Sequence, residues 1–401
     1  MLSPRDRRAL FAVAVQFFVN GMMSASFVAR APQIRDSIGV AIEGYGLLLT
    51  VSATIGILSS LLAGRIIHRV GSRRVLGVGG VAMVASLPVI GVAQTPAVWL
   101  VGMFVYVFFD ALVDISMNLQ GSWLSARRHT PIMNRLHGLW SMGTLAGGLG
   151  AVVANASGLS PFTHLLIVAT LMAGVLLMIT RHLLANDEKG HSDEAVSAAP
   201  TDPIGRASRM PMLLLVLAGM FAVVMEVTGG DWATFRLTDD LNGSAALASA
   251  AFVAYTVGMT SMRFGGDFLQ LHLGGMRLHR LSVFVVMSGF AVASLVPNQG
   301  ASIVGFLVVG FGVATFMPKL YDDAARLPGR RGGGLGAMTA GMRIASLITP
   351  VVLGALAGTS LSVGAAIVIC SLPAAVGLVV VTTWSAVLLR PCIGEGAAHT
   401  D

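Results

Sequence analysis

Two carboxylates four residues apart, inside a hydrophobic run, are the first residues of this 401-residue chain equipped to do chemistry. Asp110 and Asp114 share one face of a helix, and Asn118 extends that face by a further turn. Side chains at that spacing start about 6 Å apart, and two carboxylates so close cannot both ionise cheaply in a low dielectric. The pair is therefore a place to hold a proton. An ionisable group inside an apolar span costs at least a few kcal/mol, which marks it as functional. The competing reading is a structural pair hydrogen-bonded to neighbouring helices. Gln16 and Asn20 repeat the same spacing in the first apolar run and form a polar stripe there.

Other isolated polar residues extend the set. Arg343 stands about nine residues into the eleventh apolar run with no acid within one turn, so its partner is on another helix or on a ligand. Arg263 precedes Asp267 by four residues, which predicts a local helix pair. Glu226 lies near the end of the seventh run, and Asp231 and Trp232 follow at its edge. For Trp232 the commoner role is an interfacial anchor. His137, near the start of the fifth run, can titrate near neutral pH, although helix-end histidines more often serve as polar contacts. The chain has no H-E-x-x-H, no G-x-x-x-x-G-K-[ST] and no G-x-S-x-G. No enzyme, catalytic residue, metal site or cofactor is expected.

These residues need elements to hold them, and composition says which. Hydrophobic residues make up 55% of the chain and charged residues only 11%, with a mean hydropathy of +0.80. Soluble domains carry about 25% charged residues. Long apolar runs without strand alternation mean membrane helices, since only closed backbone structures survive in lipid. The 48 glycines fit closely packed membrane helices. Taking roughly 20 residues per crossing, the spans fall at 9–29, 44–64, 75–94, 97–119, 135–156 and 161–182, then 211–230, 245–267, 278–297, 300–319, 334–357 and 362–389. The fold class is an all-α membrane protein of twelve helices in two six-helix bundles. The expected divisions are an N-terminal bundle (1–182), a polar linker (183–209), a C-terminal bundle (210–390) and a tail (391–401).

Orientation follows from the 26 Lys and Arg residues. With the N-terminus inside, the outer segments hold Arg30, Arg35 and Arg236, while Arg263 and Arg343 lie within spans. All the others fall on inner segments. Both termini are thus expected in the cytoplasm, and the chain in a bacterial inner membrane.

The loop after the second span reads Gly64-Arg65-Ile66-Ile67-His68-Arg69-Val70-Gly71-Ser72-Arg73-Arg74. Gly64, Arg69, Gly71, Arg73 and Arg74 resemble the loop signature of the major facilitator superfamily, with His68 where that family has Asp. A weaker copy runs from Arg263 to Gly274. Four further segments resemble the MosC-like, rhizopine-related subgroup: Ala29 to Asp36, Asp114 to Gly121, Leu136 to Gly143, and Glu226 to Trp232. The fifth span carries Gly143-Thr144-Leu145-Ala146-Gly147-Gly148 without the proline usual in drug–proton antiporters.

The resemblance implies alternating access between two bundles, with helices one, four, seven and ten around a central cavity, which suits the Gln16–Asn20 stripe. The expected function is secondary transport of a small polar solute, sugar-like, polyol or organic ion, by a monomer in the lipid bilayer. Without an ATP-binding motif the energy source is a proton gradient, coupled through Asp110 with Asp114. Nucleic acid is not an expected partner, because the basic residues lie between spans. The alternatives are proton-driven export of amphipathic compounds and, in another class, a transporter-like solute sensor.

Overall fold

The computed structural model describes residues 3–128, 132–185, 206–325 and 333–388, and their regular structure is entirely helical. The N-terminal half contains α1 (Pro4–Val28), a short α2 (Ala31–Ser37), α3 (Ile42–Val70), α4 (Ser72–Val92), α5 (Pro96–Arg128), α6 (Met133–Ala156) and α7 (Pro161–Thr180). The C-terminal half contains α8 (Arg206–Gly230), α9 (Ala245–Leu273), α10 (Gly275–Leu295), α11 (Gln299–Val313), α12 (Phe316–Ala325), α13 (Gly333–Ala357) and α14 (Val363–Leu388). One helical turn, Ala233–Phe235, runs into a π turn, Arg236–Asp240, after α8.

Local sequence explains where several helices begin. Ser3, Ser160, Ser244 and Asn298 each accept a backbone N–H three residues on, and proline follows at once in the first two. Gly71 joins α3 to α4 at a φ of 94°, and Gly274 joins α9 to α10 at 75°. Only glycine takes that conformation without strain. Each of the two glycines closes the helix before it and opens the helix after it, through Ile67 and Val75 or Gln270 and Leu278. The two halves thus make the same turn at equivalent places, on the arginine-rich face of the molecule.

Glycine also sets how closely helices approach. A Cβ on Gly143 of α6 would land on the Phe18 carbonyl of α1, and one on Gly341 of α13 would land on the Val216 carbonyl of α8. The α1–α6 and α8–α13 pairs are therefore in close backbone contact at equivalent places in the two halves, and Gly310 brings α11 equally close to the Tyr255 carbonyl of α9. Between the halves, α3 packs on α13 and α6 packs on α9.

Eleven helices among the described residues are long and apolar enough to cross a membrane. The remaining expected span, 135–156, is α6. Its 24 residues are diluted by glycine, Ser, Thr and Asn because it is wedged between α1 and α9. The tenth span is not one continuous helix as expected: it breaks at Ala314–Thr315 into α11 and α12. Of the polar 183–209 stretch, residues 186–205 lie outside the described residues, as does all of 391–401. Leu183 and Leu184 remain buried, and Gln120 of α5 both donates to the Leu184 carbonyl (3.1 Å) and accepts its N–H (3.0 Å).

Candidate functional site

Asp110 lies near the middle of α5. Its Oδ1 accepts a 2.8 Å hydrogen bond from Asn20 Nδ2 of α1. The other end of the same amide, Asn20 Oδ1, accepts from Trp140 Nε1 of α6, also at 2.8 Å. Asn20 is thus fixed in one orientation and ties three helices together. One turn along α5, Asp114 Oδ1 accepts from Asn118 Nδ2 at 3.0 Å. Arg343 of the opposite half acts electrostatically on both carboxylates, and Tyr321 of α12 stands within electrostatic reach of Asp114. The pair therefore faces the seam between the halves.

Depth and exposure together describe this room. Asp114 is fourteen residues from the end of α5 at Arg128, about 21 Å along the helix axis. Asp114 and Arg343 are nevertheless exposed, and Asp110 is half-buried. Water therefore reaches the carboxylate pair along the seam, from the arginine-rich face.

The other face is closed. Arg35 of α2 is ion-paired with Asp239 of the C-terminal half, and its guanidinium sits 5.2 Å from the Phe235 ring centroid. Burial works against the Arg35 charge, but hydrogen bonds and charges from Asp239 and Asp36 outweigh it and raise its pKa. Beside it, Gln33 Nε2 donates to Asn155 Oδ1 (2.7 Å), Asn155 Nδ2 donates to Ser249 Oγ (2.8 Å), and Ser249 Oγ donates to the Ala29 carbonyl (2.6 Å). Thr50 Oγ1 donates to the Leu347 carbonyl at 2.9 Å, eight residues into α3, so the seal runs about 12 Å deep. Burial pushes the neighbouring Arg30 down to about 10; it donates to Gln33 and to the Leu159 and Ser160 carbonyls.

Between room and seal lies a cavity of about 310 Å³ at the seam, lined by Glu226, Asp231, Trp140, Phe252 and Tyr255 among others. Trp140 thus belongs both to this cavity and to the Asn20–Asp110 chain. Arg263 Nη1 donates to Ser141 Oγ (2.6 Å) and stands 5.9 Å from the Trp140 ring centroid. It thus has partners across the seam on α6; the Asp267 side chain, the partner that the spacing predicts, lies outside the described residues.

Three other expectations need correction. Gln16 does not join the Asn20 network: both are buried, but among the described residues neither end of the Gln16 amide has a hydrogen-bond partner. Trp232 is not an interfacial anchor. It is fully buried and packs against Phe235 at 5.4 Å, because the chain turns inward after Gly230. His137 does not line the seam cavity: it is exposed, its ring 5.3 Å from and edge-on to Phe17, and it meets the Arg263–Ser141 contact only from the side, its carbonyl accepting from Ser141 Oγ at 3.1 Å. Of the loop-signature residues, Arg69, Gly71, Arg73 and Arg74 line a groove beside α4 and α7 and share no wall with the seam cavity; Gly64 has open space around it. Arg73 Nε donates to the Thr180 carbonyl at 3.2 Å.

Some participants carried no assigned role in the sequence. Trp140 and the Arg30–Arg35 segment fall within segments that resemble a known subgroup, yet nothing local to them gives a partner. Tyr255, Asn155 and Ser249 lie outside all of those segments. Arg236 and Asp240 form a buried 2.6 Å ion pair, and Asp240 accepts the Val363 and Gly364 N–H groups at the start of α14. That pair caps a helix.

Comparison with known proteins agrees with this geometry. The sequence profile of the Major Facilitator Superfamily matches residues 13–327. An uncharacterised transporter of that type from Yersinia pestis is 26% identical over 366 residues, 90% of each chain. Membrane protein MosC of Rhizobium meliloti is 25% identical over 335 residues, 81% of this chain and 77% of its own. The crystal structure of nucleoside transporter NupG superposes with a TM-score of 0.66 at 12% identity, covering 98% of this chain and all of that one. The chain belongs to the Major Facilitator Superfamily and is a multi-pass membrane transporter, not an enzyme.

Proposed function

We propose that the protein is a proton-coupled secondary transporter that moves a small polar solute by alternating access. It works as a monomer in the bacterial inner membrane with both termini in the cytoplasm. The observation that carries the reading is the Asp110–Asn20–Trp140 chain. It links a wetted carboxylate pair on one half to a cavity shared by both. A proton arriving at Asp110 changes what Asn20 can donate to, and Asn20 holds the indole in the cavity wall. Charge at the coupling pair and the shape of the solute cavity are thus connected through two hydrogen bonds.

The arginine-rich face is the cytoplasmic one in this reading, so the conformation is open inward and sealed outward. Solute and proton reach the seam from inside here, and from outside once the Arg35–Asp239 seal opens and the halves rock about the cavity. No nucleotide or metal enters the cycle; the proton gradient supplies the energy. Symport fits a polar cargo. The aromatic wall of Phe252 and Tyr255 favours one second reading, proton-driven export of amphipathic compounds.

The test uses vesicles or proteoliposomes holding the wild type or Asp110→Asn, with solute flux measured with and without a pH gradient. Gradient-driven flux should vanish in the variant, while exchange of solute between the two sides persists. Unchanged gradient-driven flux in Asp110→Asn would sink the coupling role.

A further inference from the structure

Glu226 and Asp231 lie five residues apart. On a continuous helix, at about 100° per residue, they would diverge by roughly 140°. They nevertheless line one cavity, at the point where α8 ends: its last residue is Gly230, and the Asp231 N–H still donates to the Val227 carbonyl at 3.0 Å. Gly229 and Gly230 also leave room for the Tyr255 ring, which a Cβ on either would meet at 3.0–3.2 Å. Tyr255 OH donates to the Glu226 carbonyl at 3.3 Å and holds that ring over the helix end.

The chemistry of that cavity is lopsided. No Lys, Arg or His lines it. Among the described residues, no hydrogen bond reaches either carboxylate: Glu226 feels the charge of Arg263, and Asp231 feels only Glu226. Arg263 is already committed to Ser141 and to the Trp140 ring. One engaged guanidinium therefore faces two acids. A half-buried carboxylate without protein donors is incompletely satisfied, so the site calls for N–H donors and positive charge. The rest of the wall consists of aromatic rings and hydroxyls, with Trp140, Phe252, Tyr255, Ser24 and Thr256 among them. Ring faces attract organic cations and offer nothing to a hydrated metal ion. The volume, about 310 Å³, sits at the small end of ligand pockets, about 300–1,000 Å³.

We infer that this cavity is the solute site and takes a small organic cation, a protonated amine. Its ammonium lies against Glu226 and Asp231, and its carbon skeleton lies on the aromatic wall. The inference rests on the transporter reading above and narrows its solute class. Asp110 and Asp114 lie outside this contact and are not asked to bind the amine.

Binding to purified wild-type protein in nanodiscs tests it, with matched probes that differ only in charge: tryptamine against N-acetyltryptamine, and glucosamine against glucose. Titration calorimetry and the shift in melting temperature are the readouts, since a binder stabilises the folded state by mass action. At least one amine should bind about tenfold or more tightly than its neutral twin, as expected for a charge-assisted contact. Glu226→Gln and Asp231→Asn should each reduce that preference severalfold, and the double variant should erase it. Equal or better binding of both neutral twins, no binding of either amine, or a full preference surviving in the double variant would each overturn the inference. The comparison between twins needs no variant, so a misfolded mutant leaves the test intact. Equilibrium binding also needs no flux, so failure of the coupling reading and failure of the amine assignment are seen in different assays.

Discussion

The two carboxylate pairs of the seam are built from the same residue types and placed in opposite circumstances. Asp110 and Asp114 are surrounded by donors: Asn20, Asn118 and, at electrostatic range, Arg343. They are wetted from the arginine-rich face. Glu226 and Asp231 are half-buried among rings and hydroxyls, and among the described residues no side chain donates to them. A carboxylate held by fixed donors is already satisfied and can exchange a proton through water without rearranging its surroundings. A carboxylate without donors is unsatisfied until a ligand arrives. In the proposed reading the difference gives proton handling to the first pair and solute recognition to the second, with Trp140 hydrogen-bonded into the first system and lining the cavity of the second.

The largest effects should come from neutralising one pair at a time. Asp110→Asn should reduce gradient-driven flux to the level of empty vesicles while solute affinity stays within about threefold, because Asp110 makes no contact with the cavity ligand. Asp231→Asn should do the reverse, weakening solute binding severalfold while proton exchange in the absence of solute continues. Parallel measurement of flux, affinity and vesicle acidification separates the roles. If each variant loses both functions equally, the pairs form one site and the contrast collapses.

The connection between them comes next in size. Trp140→Phe keeps the ring in the cavity wall and removes the N–H that fixes Asn20. A hydrogen bond between neutral groups is worth about 0.5–1.5 kcal/mol, so coupled flux should fall severalfold, up to about tenfold. The proton-to-solute ratio should fall with it, measured by simultaneous pH and isotope readouts. A normal ratio in Trp140→Phe would mean that the two pairs communicate by another route.

The outer seal should respond less, and without pH dependence. The net effect of its neighbours is to raise the pKa of Arg35, so it stays charged between about pH 6 and 8. Arg35→Gln should speed labelling of a Val28→Cys reporter by a membrane-impermeant maleimide about five- to tenfold, as expected for loss of one part-buried ion pair. The charge swap Arg35→Asp with Asp239→Arg should restore protection. Strong pH dependence of labelling in the wild type would transfer control of the seal to the carboxylates.

What the sequence made legible divides along the same line. Asp110 and Asp114 could be read because both lie on one helix, where spacing alone fixes a shared face. The six-plus-six layout and the Gly71 turn could be read because hydropathy and backbone strain are local properties. Asn20 was visible as a polar residue, but its two partners sit on α5 and α6, and no local rule brings them together. Gln16 shows the limit: it lies one turn from Asn20 with the same chemistry, yet its amide is buried without the partners that Asn20 finds. Trp232 was misplaced because an aromatic after a helix end looks the same whether the chain turns toward lipid or into the seam. Arg263 reaches Ser141 and Trp140 across the seam, and no local rule brings that helix to it. α6 reads as a weak span because a helix shielded by neighbours needs less apolar surface.

The smallest effect is expected from Asn118, and it discriminates within the first pair. Its amide donates only to Asp114, to the carboxylate at 3.0 Å and to the carbonyl at 2.9 Å, both within its own helix. Asp114 is exposed, so water can replace that donor when it is removed. Asn118→Ala should therefore change gradient-driven flux by no more than about threefold, below the roughly 1 kcal/mol of a typical hydrogen bond. Asp110 keeps its bond from Asn20 in this variant, and the cavity is untouched. Since Asn118 reaches the pair only through Asp114, a loss as severe as that of Asp110→Asn would have one explanation: the proton that matters is carried on Asp114, and Asp110 serves to anchor Asn20.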